Sequence, residues 1–89
     1  MSLTAFFETI EDDPRITTAH ISVYLAMLSE FQAAGACDLL LLNRTRIMQL
    51  AKISARSTYD RVIHDLDVFG YIQYHPDFGG NSTIKFNKL

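Results

Sequence analysis

Cysteine, proline and glycine are scarce in these 89 residues, which contain one, two and four of them respectively. With Cys37 alone, no disulfide can close within the chain, so its small size is not offset by cross-links, and a reducing cytoplasm suits it. No Lys, Arg or His neighbours Cys37 to activate it, and it reads as an inert thiol. There is no linker, repeat or low-complexity segment. No apolar run approaches the roughly 20 residues of a membrane span. The first residues lack the basic segment and apolar stretch of a signal peptide. The three histidines, His20, His64 and His75, fall on different segments, with no Cys or carboxylate at ligand spacing, so no metal is expected. Gly79-Gly80 lacks the strand-to-helix context and following Lys of a phosphate loop. No set of nucleophile, base and oxyanion donors stands out, so neither an enzyme nor a cofactor is expected.

Positive charge is also short. The net charge is −2, which taken alone speaks against nucleic acid. Its distribution says otherwise: residues 1–42 carry −5 and residues 43–89 carry +3. Such asymmetry can place a basic face on an acidic protein, although ordinary surface scatter gives the same tally. Hydrophobic residues make up 48% of the chain. A chain this short has a thin core, so part of that apolar surface is expected to meet a partner.

Periodicity orders the chain as one domain over 1–89, mostly α with a small β-hairpin. Leu3, Phe6, Phe7 and Ile10 recur at helical spacing up to Glu11-Asp12-Asp13-Pro14. Thr17 caps a second helix with a wide apolar sector: Ile21, Tyr24, Leu25, Leu28 and Phe31, flanked by Val23, Ala26, Met27 and Ala33, with Gly35 closing it. These two helices occupy 3–34. Leu39 to Leu42 reads as a short strand. Over 43–70, Asn43 caps a helix facing inward through Ile47, Leu50 and Ala51. Lys52-Ile53 turns the chain, and Ser54 caps a further helix facing inward through Tyr59, Val62, Ile63 and Leu66. Over 71–88 the period falls to two on either side of the turn formers Pro76 to Asn81, a hairpin.

Two helices joined by a tight turn and followed by a hairpin suit duplex DNA. The second helix fits the major groove, and the first braces it. The stretch Ile47-Met48-Gln49-Leu50-Ala51-Lys52-Ile53-Ser54-Ala55-Arg56-Ser57-Thr58-Tyr59, continued by Val62-Ile63-His64-Asp65-Leu66 and Gly70-Tyr71-Ile72, resembles a bacterial winged helix-turn-helix domain. The likeness spans Thr45 to Phe86. It lies in a Leu-Ala pair before a Ser-rich turn and a Leu-x-x-x-Gly-Tyr-Ile exit into the wing. It implies a winged helix-turn-helix with two additional N-terminal helices, as in small transcription regulators and in replication or mobile-element proteins. One departure is Lys52-Ile53, where many such motifs have a glycine.

On that register Ala55, Arg56, Ser57, Asp60, Arg61 and His64 face outward and are the candidate base and phosphate contacts. Asp60 either accepts from a cytosine amino group or pairs with Arg56 or Arg61. Arg44, Thr45 and Arg46 begin the preceding helix, where amides favour an anion; the plainer alternative is solvated charge. Asn81, Ser82 and Lys85 are the wing candidates. Phe78, at the tip, is expected to fold beneath its loop or to meet a protein. Leu3, Phe6, Phe7, Ile10, Val23 and Met27 are expected to join two copies into a homodimer. The expected function is sequence-specific duplex binding by a small transcriptional regulator. The alternatives are a protein-binding module of the same fold and an accessory protein of replication or mobilisation.

Overall fold

Residues 3–36 and 38–89 are described by a computed structural model; Cys37 and its expected inertness lie outside them. These residues form α1 (Leu3–Glu11), α2 (Thr18–Ala33), β1 (Leu39–Leu41), α3 (Arg44–Ala51), α4 (Arg56–Val68), β2 (Ile72–His75) and β3 (Thr83–Phe86). The fold is mostly helical, with one antiparallel sheet in the order β1-β3-β2. Leu40 pairs with Ile84, and Tyr74 pairs with Ile84 from the other side. Strand β1 thus joins the hairpin from a distant part of the chain. No helix of the described residues is long and apolar enough to cross a membrane.

Helix α2 lies at the centre and packs on α3, α4 and β1. Its apolar residues extend most of the way around it because it has neighbours on two sides. Val23, Tyr24, Ala26, Met27 and Leu28 are all buried. At its start the Thr17 amide donates to Nδ1 of His20 at 3.0 Å. At its end Gly35, with φ +63°, lets the Ala36 amide reach the Phe31 carbonyl and the Gly35 amide reach that of Gln32, the paired bonds of a Schellman ending. Helix α4 ends the same way at Gly70.

The turn between α3 and α4 has no glycine, yet it adopts the conformation a glycine would. Lys52 takes φ 60° and ψ 40°, and the Ile53 amide reaches the Met48 carbonyl. A residue with a Cβ costs about 1–2 kcal/mol there. The α2 hydroxyl of Ser22 donates to the Ala51 carbonyl and ties down the end of α3.

Three expectations about packing are corrected. Phe6, Val23 and Met27 are fully buried in this chain's own core, so they are not available to a second copy. Phe6 stacks on Tyr24 with ring centroids 3.9 Å apart and 5° between planes. Of the residues expected to join copies, Leu3 and Phe7 stay exposed and Ile10 is half-buried. Leu50, expected to face inward, is 37% exposed. Because α3 leans on α2, only its Ile47–Ala51 stripe is covered. Finally, Ala55 rather than Ser54 holds the N-cap position of α4, with no side-chain cap bond.

The loop before α2 is anchored by one carboxylate. Asp13 accepts from Nε and Nη2 of Arg15 at 2.8 and 2.9 Å and from the Tyr71 hydroxyl at 2.7 Å. The Arg15 bond first, and the Tyr71 bond second, hold the Asp13 carboxyl well below the usual range. Burial, then Asp13, push the Tyr71 phenol up to about 12. Arg15 also lies 4.2 Å above the Phe69 ring. A carboxyl depressed in the fold adds stability that is complete above its unfolded value, about pH 4, and that is lost as pH falls toward the folded value. The melting temperature should therefore drop more steeply between about pH 5 and about pH 3 in the parent than in Asp13→Asn. Equal slopes by circular dichroism would remove Asp13 from the acid response.

Candidate nucleic-acid interface

Helix α4 divides its residues between two faces, apart from Val68, which is 64% exposed. Tyr59, Val62, Ile63 and Leu66 are buried, whereas Ala55, Arg56, Ser57, Asp60, Arg61 and His64 are all exposed. The outer face is a row of polar side chains on a helix whose inner face is held by α2 and β2. Two of these side chains, Arg56 and Asp60, stand beside the start of α3 and the hairpin loop. These three elements enclose an open groove of about 760 Å³ lined by Arg44, Thr45, Arg56, Asp60, Tyr59, Tyr74 and Asp77, among others.

The arginines of this face do not form an unopposed positive surface. Arg56 lies 3.7 Å from Asp60, which favours the ion-pair reading of Asp60. Arg61 lies 3.5 Å from Asp65. Arg46 is bound to Glu30 of α2 at 2.9 Å, so its side chain is held toward α2. Arg44 has no ion pair among the described residues and lines the groove. The Arg56 and Arg61 pairs are i, i+4 contacts between half-exposed or more exposed cations and their carboxylates. Such pairs are worth about 0–1 kcal/mol and exchange readily for another anion.

At the start of α3 the Asn43 side chain accepts from the Arg46 amide at 3.1 Å. The Arg44 and Thr45 amides in the same turn have no acceptor within the helix. In the hairpin, Asn81 and Lys85 are exposed, and Lys85 lies 3.5 Å from Asp38. The Ser82 hydroxyl, a wing candidate, accepts from the Asp77 amide at 2.9 Å. Phe78 does not fold beneath the loop. It is wholly exposed, because Asp77 turns back to accept from the Gly79 amide at 2.9 Å and leaves the ring outside.

Some participants were not found from sequence. His20 is 2% exposed. Its Nδ1 accepts from the Thr17 amide, which leaves Nε2 to donate to Asp65 at 2.9 Å. Asp65 thus links the start of α2 to Arg61. The i, i+4 spacing of Arg61 and Asp65 was visible, but the contact with His20, 45 residues away, gives no local signal. The same holds for Glu30 and Arg46. Among the described residues no cluster of three or more His, Cys, Asp or Glu is placed to hold a metal ion. No protein-family model, no curated protein and no solved structure matches this chain.

Proposed function

We propose that the chain is a winged helix-turn-helix domain that binds double-stranded DNA, with α4 as the helix entering the major groove and the β2–β3 hairpin as the wing. The observation that carries this reading is the set of exposed polar side chains on α4 from Arg56 to His64, with Arg56 in its first turn and Arg44 beside it at the start of α3. A first-turn arginine suits base edges, and a cation at a helix start suits phosphate. Its role would be that of a small regulator reading a specific site. Lys85 and Asn81 would give the wing a minor share. The ion pairs on the face lower its field but not its capacity, since exposed pairs are weak.

The test is fluorescence anisotropy on duplexes selected from a random pool, repeated across a salt series. The parent should bind with an affinity that falls as salt rises. Arg56→Ala should cost about 1–3 kcal/mol on the preferred site and relax the preference there. Arg44→Ala should weaken all duplexes alike and reduce the salt slope by about one unit. No salt-dependent affinity for any duplex would sink the reading.

The second reading is a protein-binding module of the same fold. It is favoured by the carboxylates facing Arg46, Arg56 and Arg61 and by the bare Phe78 ring. It becomes the better account if the anisotropy series is flat.

A further inference from the structure

The groove beside α4 contains a polar atom that the protein leaves without a partner. Tyr59 is 5% exposed, and no described group hydrogen-bonds its hydroxyl. That hydroxyl is not sealed in the core as the Tyr24 hydroxyl is. It stands among groove residues: burial first, then Tyr74 and Asp60, push its phenol up to about 12, and the Arg44 charge opposes them. All three of those neighbours line the groove. A hydroxyl so placed can donate to an anion that enters the groove.

The first turn of α3 lines the same groove. Asn43 satisfies only the Arg46 amide, and the Arg44 and Thr45 amides remain as paired donors. The Arg44 guanidinium adds a charge with no carboxylate partner among the described residues. Of the carboxylates in the groove, Asp60 stands 3.7 Å from Arg56, and Asp77 accepts from Gly79. Two amides, one guanidinium and one phenol remain as donors with no hydrogen-bond or ion-pair partner among the described residues.

We infer that this groove is a site for one phosphate group, held by the Arg44 and Thr45 amides, the Arg44 guanidinium and the Tyr59 hydroxyl. The inference rests on the duplex reading in that its natural source would be a backbone phosphate of DNA; free phosphate offers the same oxygens. Tyr59 then has two roles, with its ring in the core beneath α4 and its hydroxyl on the ligand. Arg46, tied to Glu30, takes no part.

The experiment is a titration of the full chain with inorganic phosphate at constant ionic strength, read by the amide resonances of Arg44 and Thr45. In the parent these two resonances should move together and saturate. Tyr59→Phe keeps the ring and removes one donor, and it should weaken the apparent affinity about tenfold. Arg44→Gln should do at least as much without touching the core. Lys88→Gln, an equal loss of charge elsewhere, should change nothing. Movement that fails to saturate in the parent, or that saturates in Tyr59→Phe and Arg44→Gln at the same concentration as in the parent, overturns the site. A second arm measures duplex affinity of the same variants. Saturable phosphate binding without duplex binding keeps the site and removes the DNA source, whereas duplex binding without a phosphate response at Arg44 and Thr45 removes the site alone.

Discussion

Replacing Phe6 by Ala should lower the melting temperature by about 15–30 °C, and replacing its neighbour Phe7 by Ser should leave it within a few degrees. Phe6 has no exposed surface. Its ring lies flat on Tyr24 and meets Tyr71 edge-on at 6.0 Å. Truncating a buried phenylalanine costs about 3–5 kcal/mol, out of a total of about 5–10 kcal/mol for a chain of this size. Phe7 keeps 44% of its surface in solvent, so its loss removes little from the fold. Leu3, one turn earlier, is 50% exposed. If two copies join through α1, these two residues are the contact, and Phe7→Ser should shift sedimentation at micromolar concentration toward the monomer. Thermal denaturation followed by circular dichroism reads the first effect. A small loss in Phe6→Ala would mean that α1 is a detachable arm rather than part of the core.

Truncating Leu66 to Ala should cost about 2–5 kcal/mol, from lost burial and the cavity left behind. Leu66 is fully buried on α4, the helix that also carries Arg56 and Arg61. The paired control is Leu50→Ala, which should change stability by about 0.5 kcal/mol or less, because Leu50 lies on the open flank of α3. Urea unfolding of the two variants separates them. Equal costs would mean that α3 is rotated toward α4, with Leu50 between them.

The contrast between Leu50 and Leu66 shows how far local pattern reaches. On α4 the apolar residues Tyr59, Val62, Ile63 and Leu66 repeat over about two turns, and only one rotation buries them all. The outward placement of Arg56, Arg61 and His64 followed from that. Helix α3 has eight residues, and Ile47, Leu50 and Ala51 can be divided between inside and edge in more than one way. Its rotation was settled by where α2 lies. On α1, Leu3, Phe6, Phe7 and Ile10 all lie on one broad face, and spacing could not say that the core takes Phe6 while Phe7 stays out.

The sequence by itself determined the order of helices and strands, the caps at Thr17 and Asn43, the endings at Gly35 and Gly70, and the inner and outer faces of α4. Each depends on residues within a turn or two of one another, where backbone sterics and hydrogen bonding act directly. Tertiary structure alone decided that β1 pairs with β3, that Arg46 is drawn to Glu30, that His20 meets Asp65, and that Tyr59 and the start of α3 line one groove. These depend on how whole elements cross, which is set by the summed packing of the core. A charge or hydroxyl adds too little to steer that packing, and so leaves no pattern along the chain.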